Sequence, residues 1–188
     1  IDFVSKLKII KDIVLSTDDK KIINENKNSK KIKIFERPNK LRGKNVKTIS
    51  VILDILKKYE KKFNKVDTIL LFQATSPFRS KNKINFALKK FKHFKMKKSI
   101  VSVSSLKKNN CKRKFIIKDN MLLETKKKNN MKKYVINGNF YIANKIFLKK
   151  YKTFFWNKKT HPIILKGEKY RVDIDTKKDF IFAKNFIN

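Results

Sequence analysis

Two hydrophobic periods alternate along this chain, one helical and one extended. Ile49, Ile52, Leu53, Leu56, Tyr59 and Phe63 recur at three- and four-residue spacing, which predicts a helix over 48–63. Residues 67–72 follow as a short apolar run suited to a strand covered on both faces, then the polar stretch Gln73-Ala74-Thr75-Ser76-Pro77-Phe78-Arg79 and a helical pattern over 83–95. Residues 99–104 read as the next buried strand. Upstream, 12–17 reads as a strand, Thr17-Asp18-Asp19 supplies capping chemistry for a helix over 20–26, and 31–35 is a second strand. That strand ends in Glu36-Arg37-Pro38, where Pro38 disfavours helical geometry at Arg37. Ile1, Val4, Leu7 and Ile10 predict a helix over 1–10.

Strand and helix thus alternate several times, which predicts an α/β fold with a mostly parallel sheet and right-handed crossovers. Ligands of such sheets bind beyond the carboxyl ends of the strands, so Gln73, Thr75, Ser76 and Arg79 stand at candidate substrate positions. The plainer alternative is a polar turn in which Ser76-Pro77 opens a helix. After Leu106 the rhythm changes. A hairpin is expected over 114–118 and 121–123 around Asp119-Asn120, a polar segment over 126–133, and a strand over 135–142 entered through an Asn137-Gly138 turn. A short helix over 145–150, the aromatic run Phe154-Phe155-Trp156 as core or dimer contact, a strand over 162–165 and a final helix through Phe180, Ile181, Ala183 and Phe186 complete the chain.

Length changes the picture little: 188 residues with no Pro/Gly/Ser-rich linker suit one domain over 1–188, with 106–160 as a substrate or dimerisation insertion. Charge changes it more. A formal net charge of +36 ordinarily points to nucleic acid. Here the basic residues are almost all lysine, Gly and Pro number 3 each, and Lys, Asn, Ile and Phe have A/T-rich codons, so the composition reads as mutational bias. The lysines are dispersed and no aromatic nucleic-acid motif accompanies them, so a nucleic-acid partner is the minority reading. The single cysteine, Cys111, excludes an internal disulfide and lies in an expected loop; His93 and His161 are too isolated for a His metal site. No apolar run approaches a bilayer span and no signal-peptide pattern opens the chain, so the expected location is the cytoplasm. The opening Ile1-Asp2-Phe3-Val4 reads as the interior of an element, which leads to the expectation that the N-terminus is missing.

Asp173 and Asp175 are one residue apart on a segment expected to be extended, so their carboxylates share a face. A hard cation such as Mg²⁺ shared with substrate phosphates relieves that repulsion. The competing reading has Asp175 capping the last helix with Thr176 and Asp173 pairing with a lysine.

Taken together, Val14-Leu15-Ser16-Thr17-Asp18-Asp19, Arg37-Pro38, Gln73-Ala74-Thr75-Ser76-Pro77-Phe78-Arg79, Asn137-Gly138-Asn139-Phe140-Tyr141 and Val172-Asp173-Ile174-Asp175-Thr176 resemble the acylneuraminate cytidylyltransferases, the CMP-sialic acid synthetases. The resemblance runs from near Ile1 to the C-terminus. It implies a Rossmann-like nucleotidyltransferase domain, usually homodimeric, in which a nonulosonic acid such as N-acetylneuraminate receives CMP from CTP and pyrophosphate leaves, in surface-polysaccharide or lipopolysaccharide synthesis. It further implies Asp173 and Asp175 as ligands of Mg²⁺, Gln73 in contact with the sugar acid, Arg37 and Thr48 along the nucleotide pocket, and Asn137 and Tyr141 near the sugar. Phe154 and Phe155 would match an aromatic pair that the partner subunit contributes to the sugar site.

The chain departs from that pattern where the family begins with a strand and a glycine-containing basic loop for the triphosphate. Val135 stands where an Arg is frequent, and Lys44 where many relatives carry Asp. The alternative function is a degenerate, non-catalytic homologue or a basic nucleic-acid-binding module.

Overall fold

The computed structural model describes residues 1–43, 45–106, 113–126 and 131–187. Cys111 and Lys44 lie outside the described residues. The chain divides into two compact units, Ile1–Val66 and Asp67–Asn188.

In the first unit a four-residue helix α1 (Asp2–Ser5) stands where the spacing predicted a helix over 1–10. The apolar period is right for a helix, but the segment carries one turn of it and then leaves Leu7 buried at 1% exposure. Strand β1 (Ile13–Thr17) pairs in parallel with β2 (Ile32–Glu36), joined by helix α2 (Lys20–Asn26). Asp19 caps α2, its carboxylate accepting from the Lys21 and Ile22 amides, so the Thr-Asp-Asp signal acts as expected. Helix α3 (Thr48–Lys62) buries Ile52, Leu56 and Tyr59, spaced four and three apart on one face. With Ile13, Ile32 and Phe35 they form this unit's core, and the Tyr59 hydroxyl donates to the Asp12 carboxylate.

The second unit is built on one six-stranded sheet. Strand β3 (Thr68–Leu71) leads through the Gln73 turn to helix α4 (Lys81–His93), whose Ile84, Ala87 and Phe91 are buried. Strand β4 (Ser99–Ser105) follows, then the hairpin β5 (Lys114–Lys118) and β6 (Met121–Thr125), closed at Asp119 and Asn120, which both take positive φ. Strand β7 (Tyr134–Asn144), helix α5 (Lys145–Tyr151), strand β8 (Thr160–Ile164) and helix α6 (Lys177–Lys184) complete it.

The sheet order is β6-β5-β7-β4-β8, with β3 also on β7. The expected α/β architecture is present, but the pairing is not mostly parallel. β7 runs antiparallel between β3 and β4, so β3, β4 and β8 share a direction while the parallel ladder of this sheet is β4 with β8. Hydrophobic runs show that a strand is buried on both faces; they carry no sign of its direction.

Pairing of β4 with β7 slips between Val101 and Val103: Tyr141 lies opposite Val101 and Ile136 opposite Val103. Residues 137–140 therefore form an excursion opposite Ser102. The Asn137-Gly138 pair makes a bulge inside a continuous strand, with Gly138 at φ +74, where a turn before the strand was expected. Bonds from Ser99 N to Lys159 O and from Leu165 N to Val103 O set the odd-numbered residues of β8 toward β4, which places Pro162 on the edge where no strand pairs with β8 among the described residues.

Candidate active site

Gln73 leaves the carboxyl end of β3 and meets the β7 bulge. Its amide donates to Gly138 O at 3.4 Å, and its Oε1 accepts from the Tyr141 hydroxyl at 2.8 Å. Ser76, fully buried, closes the same turn: its amide donates to Gln73 O at 3.2 Å and its hydroxyl to Asn137 O at 3.0 Å. A Cβ on Gly138 would come within 2.5 Å of both Gln73 Oε1 and Ser76 Oγ. Glycine is required here twice, by the positive φ and by the close approach of the turn.

Arg79 braces the turn from behind. Its Nη2 donates to Gln73 O at 2.6 Å, its Nη1 to Pro77 O at 3.4 Å, and its guanidinium lies 5.3 Å from the Phe72 ring centre. Burial pushes its pKa below the usual value, yet the hydrogen bonds go to carbonyl dipoles.

The C-terminal segment is brought to this turn by a backbone bond, Ile174 N to Thr75 O at 2.8 Å. It arrives from a 3₁₀ turn (Glu168–Arg171), where Tyr170 O accepts from Asn139 Nδ2 at 3.1 Å and Arg171 donates to Ser105 Oγ at 3.1 Å. The segment is not a strand: the Asp175 amide turns back to Asp173 O at 3.2 Å, so strand alternation does not govern the two carboxylates. Both side chains are exposed. Asp173 stands close enough to Tyr141 to help raise the phenol's pKa to about 12, although burial is the larger cause.

The cap of α6 is made by others. Thr176 and Asp179 form a reciprocal capping box, and Asp179 also accepts from the Asp175 amide at 3.2 Å. Neither carboxylate of Asp173 and Asp175 has an ion pair among the described residues, despite the surrounding lysines. The capping and ion-pair roles that competed with metal binding are thus not taken up. No group of three or more His, Cys, Asp or Glu that could hold a metal is found among the described residues. The donor set is a pair of exposed carboxylates, which suits Mg²⁺ completed by phosphate and water oxygens.

The structure therefore brings Gln73, Asn137, Tyr141 and Asp173 together, with Asp175 adjoining. Phe154 joins them, its ring 5.4 Å from that of Tyr141. Phe155 points elsewhere, edge-on to Phe115 at 4.8 Å and under the Arg113 guanidinium. Both phenylalanines are 8% exposed, packed into this chain's own core, whereas Trp156 is exposed and lies on Tyr151.

Arg37 and Thr48 belong to the first unit. The Arg37 Nη2 donates to Ser16 O at 2.8 Å while its Nε is buried without a hydrogen-bond partner, and Thr48 is the first residue of α3. Sequence reasoning missed Ser102 and Ser104, both at 1% exposure or less beneath the bulge. Their signal was the run of serines in a strand otherwise made of Ile and Val: a polar residue in a doubly covered strand needs a partner.

No protein-family model matches the chain. It is 29% identical over 183 residues to CMP-N,N'-diacetyllegionaminic acid synthase of Legionella pneumophila, a match covering 94% of this chain and 78% of that protein. Its fold is similar to that of CMP:2-keto-3-deoxy-manno-octonic acid synthetase complexed with CTP, at a TM-score of 0.66 and 11% identity over 98% of this chain and 86% of the other. HddC from Yersinia pseudotuberculosis superposes with a TM-score of 0.58 and 12% identity, over 100% of this chain and 83% of the other. These likenesses agree with a Rossmann-like nucleotidyltransferase fold, and a chain that carries the Gln73 turn, the Asn137-Gly138 bulge and the terminal Asp pair is similar in sequence to a cytidylyltransferase.

Proposed function

We propose that this chain transfers CMP from CTP to a nonulosonic acid, with sialic acid or a close analogue as acceptor. The carrying observation is the meeting of Gln73, Tyr141 and Asp173 at the carboxyl end of β3, with Asp173 and Asp175 exposed and without an ion pair among the described residues. The similarity to a CMP-N,N'-diacetyllegionaminic acid synthase supports a nine-carbon 2-keto sugar acid over a simple sugar phosphate.

In the reaction the anomeric hydroxyl oxygen forms a bond to the α-phosphorus of CTP. The bond from that phosphorus to the bridging oxygen breaks, pyrophosphate departs, and the hydroxyl proton passes to solvent. Gln73 orients the acceptor: with its Oε1 held by Tyr141, its Nε2 is left to donate to a carboxylate or ring oxygen. Tyr141 keeps its proton throughout the neutral range, since its pKa is pushed up to about 12. Asp173 and Asp175 would hold Mg²⁺, which when bound offsets charge on the phosphates. Arg37 and Thr48 serve the nucleotide, and a homodimer is the proposed assembly.

The test is pyrophosphate release by the full chain with CTP, Mg²⁺ and N-acetylneuraminate, legionaminate, pseudaminate or 3-deoxy-octulosonate in competition, alongside calorimetry of each sugar acid. Release that depends on a nine-carbon acid and disappears in Asp173→Asn supports the reading. Neither release nor binding with any of the acids overturns it, and binding of a short duplex in their place favours the basic module.

A further inference from the structure

Asn137 stands in the sugar-binding motif, but its side chain is already occupied. Its Oδ1 accepts from Ser102 Oγ at 2.6 Å and from the Asn139 amide at 3.3 Å, and its Nδ2 donates to Ser104 Oγ at 2.8 Å. Ser102 is 0% exposed, Ser104 and Asn139 are 1%, and Asn137 itself is 8%. These partners are shielded from solvent.

The bulge explains why they are there. Residues 137–140 have lost their ladder partners, and Ser102 replaces them: its hydroxyl accepts from the Phe140 amide at 3.0 Å while donating to Asn137. The far side of the same bulge carries the site, through Gln73 N on Gly138 O and Ser76 Oγ on Asn137 O. A shift of the bulge therefore moves the Gln73 turn at two points.

We infer that Asn137 is a positioning residue and not a sugar ligand: with Ser102 and Ser104 it forms a buried clamp that fixes the bulge and, through it, Gln73. The clamp follows from the hydrogen bonds alone; its consequence for sugar-acid affinity rests on the function proposed above.

The test uses the full chain and two readouts. The first is residue-resolved hydrogen exchange, which needs no ligand. Ser102→Ala and Ser104→Ala should speed exchange at the Gln73 and Ser76 amides by roughly 10-fold or more. Ser99→Ala removes an equally buried hydroxyl of the same strand, bonded to Thr160, and should leave those amides unchanged. The second is sugar-acid affinity by calorimetry. Ser102→Ala and Asn137→Ala should weaken it alike, and the double variant should be no weaker than the worse single one. The clamp is overturned if Ser102→Ala and Ser104→Ala leave Gln73 exchange unchanged, or if Asn137→Ala alone lowers affinity while both serine variants bind normally. If Asn137→Ala does not fold, the two serine variants still decide. Faster exchange at Gln73 in a chain that binds no sugar acid upholds the clamp and counts against the proposed function.

Discussion

The Tyr141 hydroxyl lies 2.8 Å from Gln73 Oε1, joining the centre of the β7 strand to the turn that leaves β3. The bond fixes which end of the Gln73 amide is presented outward. Tyr141→Phe removes it while keeping the ring against Phe154. The expected result is a stability loss of about 1 kcal/mol in denaturant titration and a sugar-acid affinity lower by roughly tenfold in calorimetry. Unchanged affinity would show that the Gln73 amide needs no such anchor.

Gly138→Ala should do more damage. The added methyl group meets Gln73 Oε1 and Ser76 Oγ at 2.5 Å and forces an L residue to hold φ +74. A cost of about 1–3 kcal/mol is expected from the backbone alone, read as a lower thermal midpoint together with displaced Gln73 signals in the NMR spectrum.

Removing the carboxylates and removing the helix cap should be separable. Asp173→Asn and Asp175→Asn act on exposed groups with no ion pair among the described residues and should leave the thermal midpoint nearly unmoved while Mg²⁺-dependent pyrophosphate release falls by 100-fold or more, roughly the scale of losing one preorganised electrostatic contact. Thr176→Ala breaks the capping box and should cost about 1 kcal/mol, yet retain Mg²⁺ binding in calorimetry. Equal loss of Mg²⁺ binding in all three variants would assign the aspartates to the helix terminus.

His161 gives stability a pH dependence. Its Nδ1 lies 2.7 Å from Asn120 O, tying the β5–β6 turn to β8, and burial, with Lys90 and Lys98 nearby, holds its pKa below the ordinary value. A depressed folded pKa means that the unfolded chain binds the proton more readily. The contribution is therefore complete above about pH 6.5, and is lost as pH falls through the lower folded value. Thermal midpoints between pH 8 and pH 5 should drop on the acid side, and the slope should flatten in His161→Gln.

Most elements were legible because their periods are clean. Ile52, Leu56 and Tyr59 define the buried face of α3, and Asp19 and Thr176 mark helix starts through the capping chemistry that the structure shows. Asp119-Asn120 sets the hairpin because both residues tolerate positive φ. What escaped was whatever depends on pairing between distant strands. The direction of β7 and the slip opposite Ser102 are decided by tertiary contacts, and Asn137-Gly138 has the same local chemistry in a bulge as in a turn. The candidate site was half visible: Gln73, Tyr141 and Asp173, which the structure brings together, were named from their motifs, whereas Ser102 and Ser104 carry meaning only once Asn137 is seen above them.

Pro162 on the outer edge of β8 has a bearing on how copies of this chain can meet. A strand laid along that edge would look for an amide donor at the middle of the β8 ladder and find a pyrrolidine ring instead. A neighbour added there would lose the hydrogen bond at the centre of its ladder, which disfavours extension of the sheet along this edge. In a chain this rich in strand-forming Ile and Phe, that imino acid blunts one edge of the sheet against further pairing.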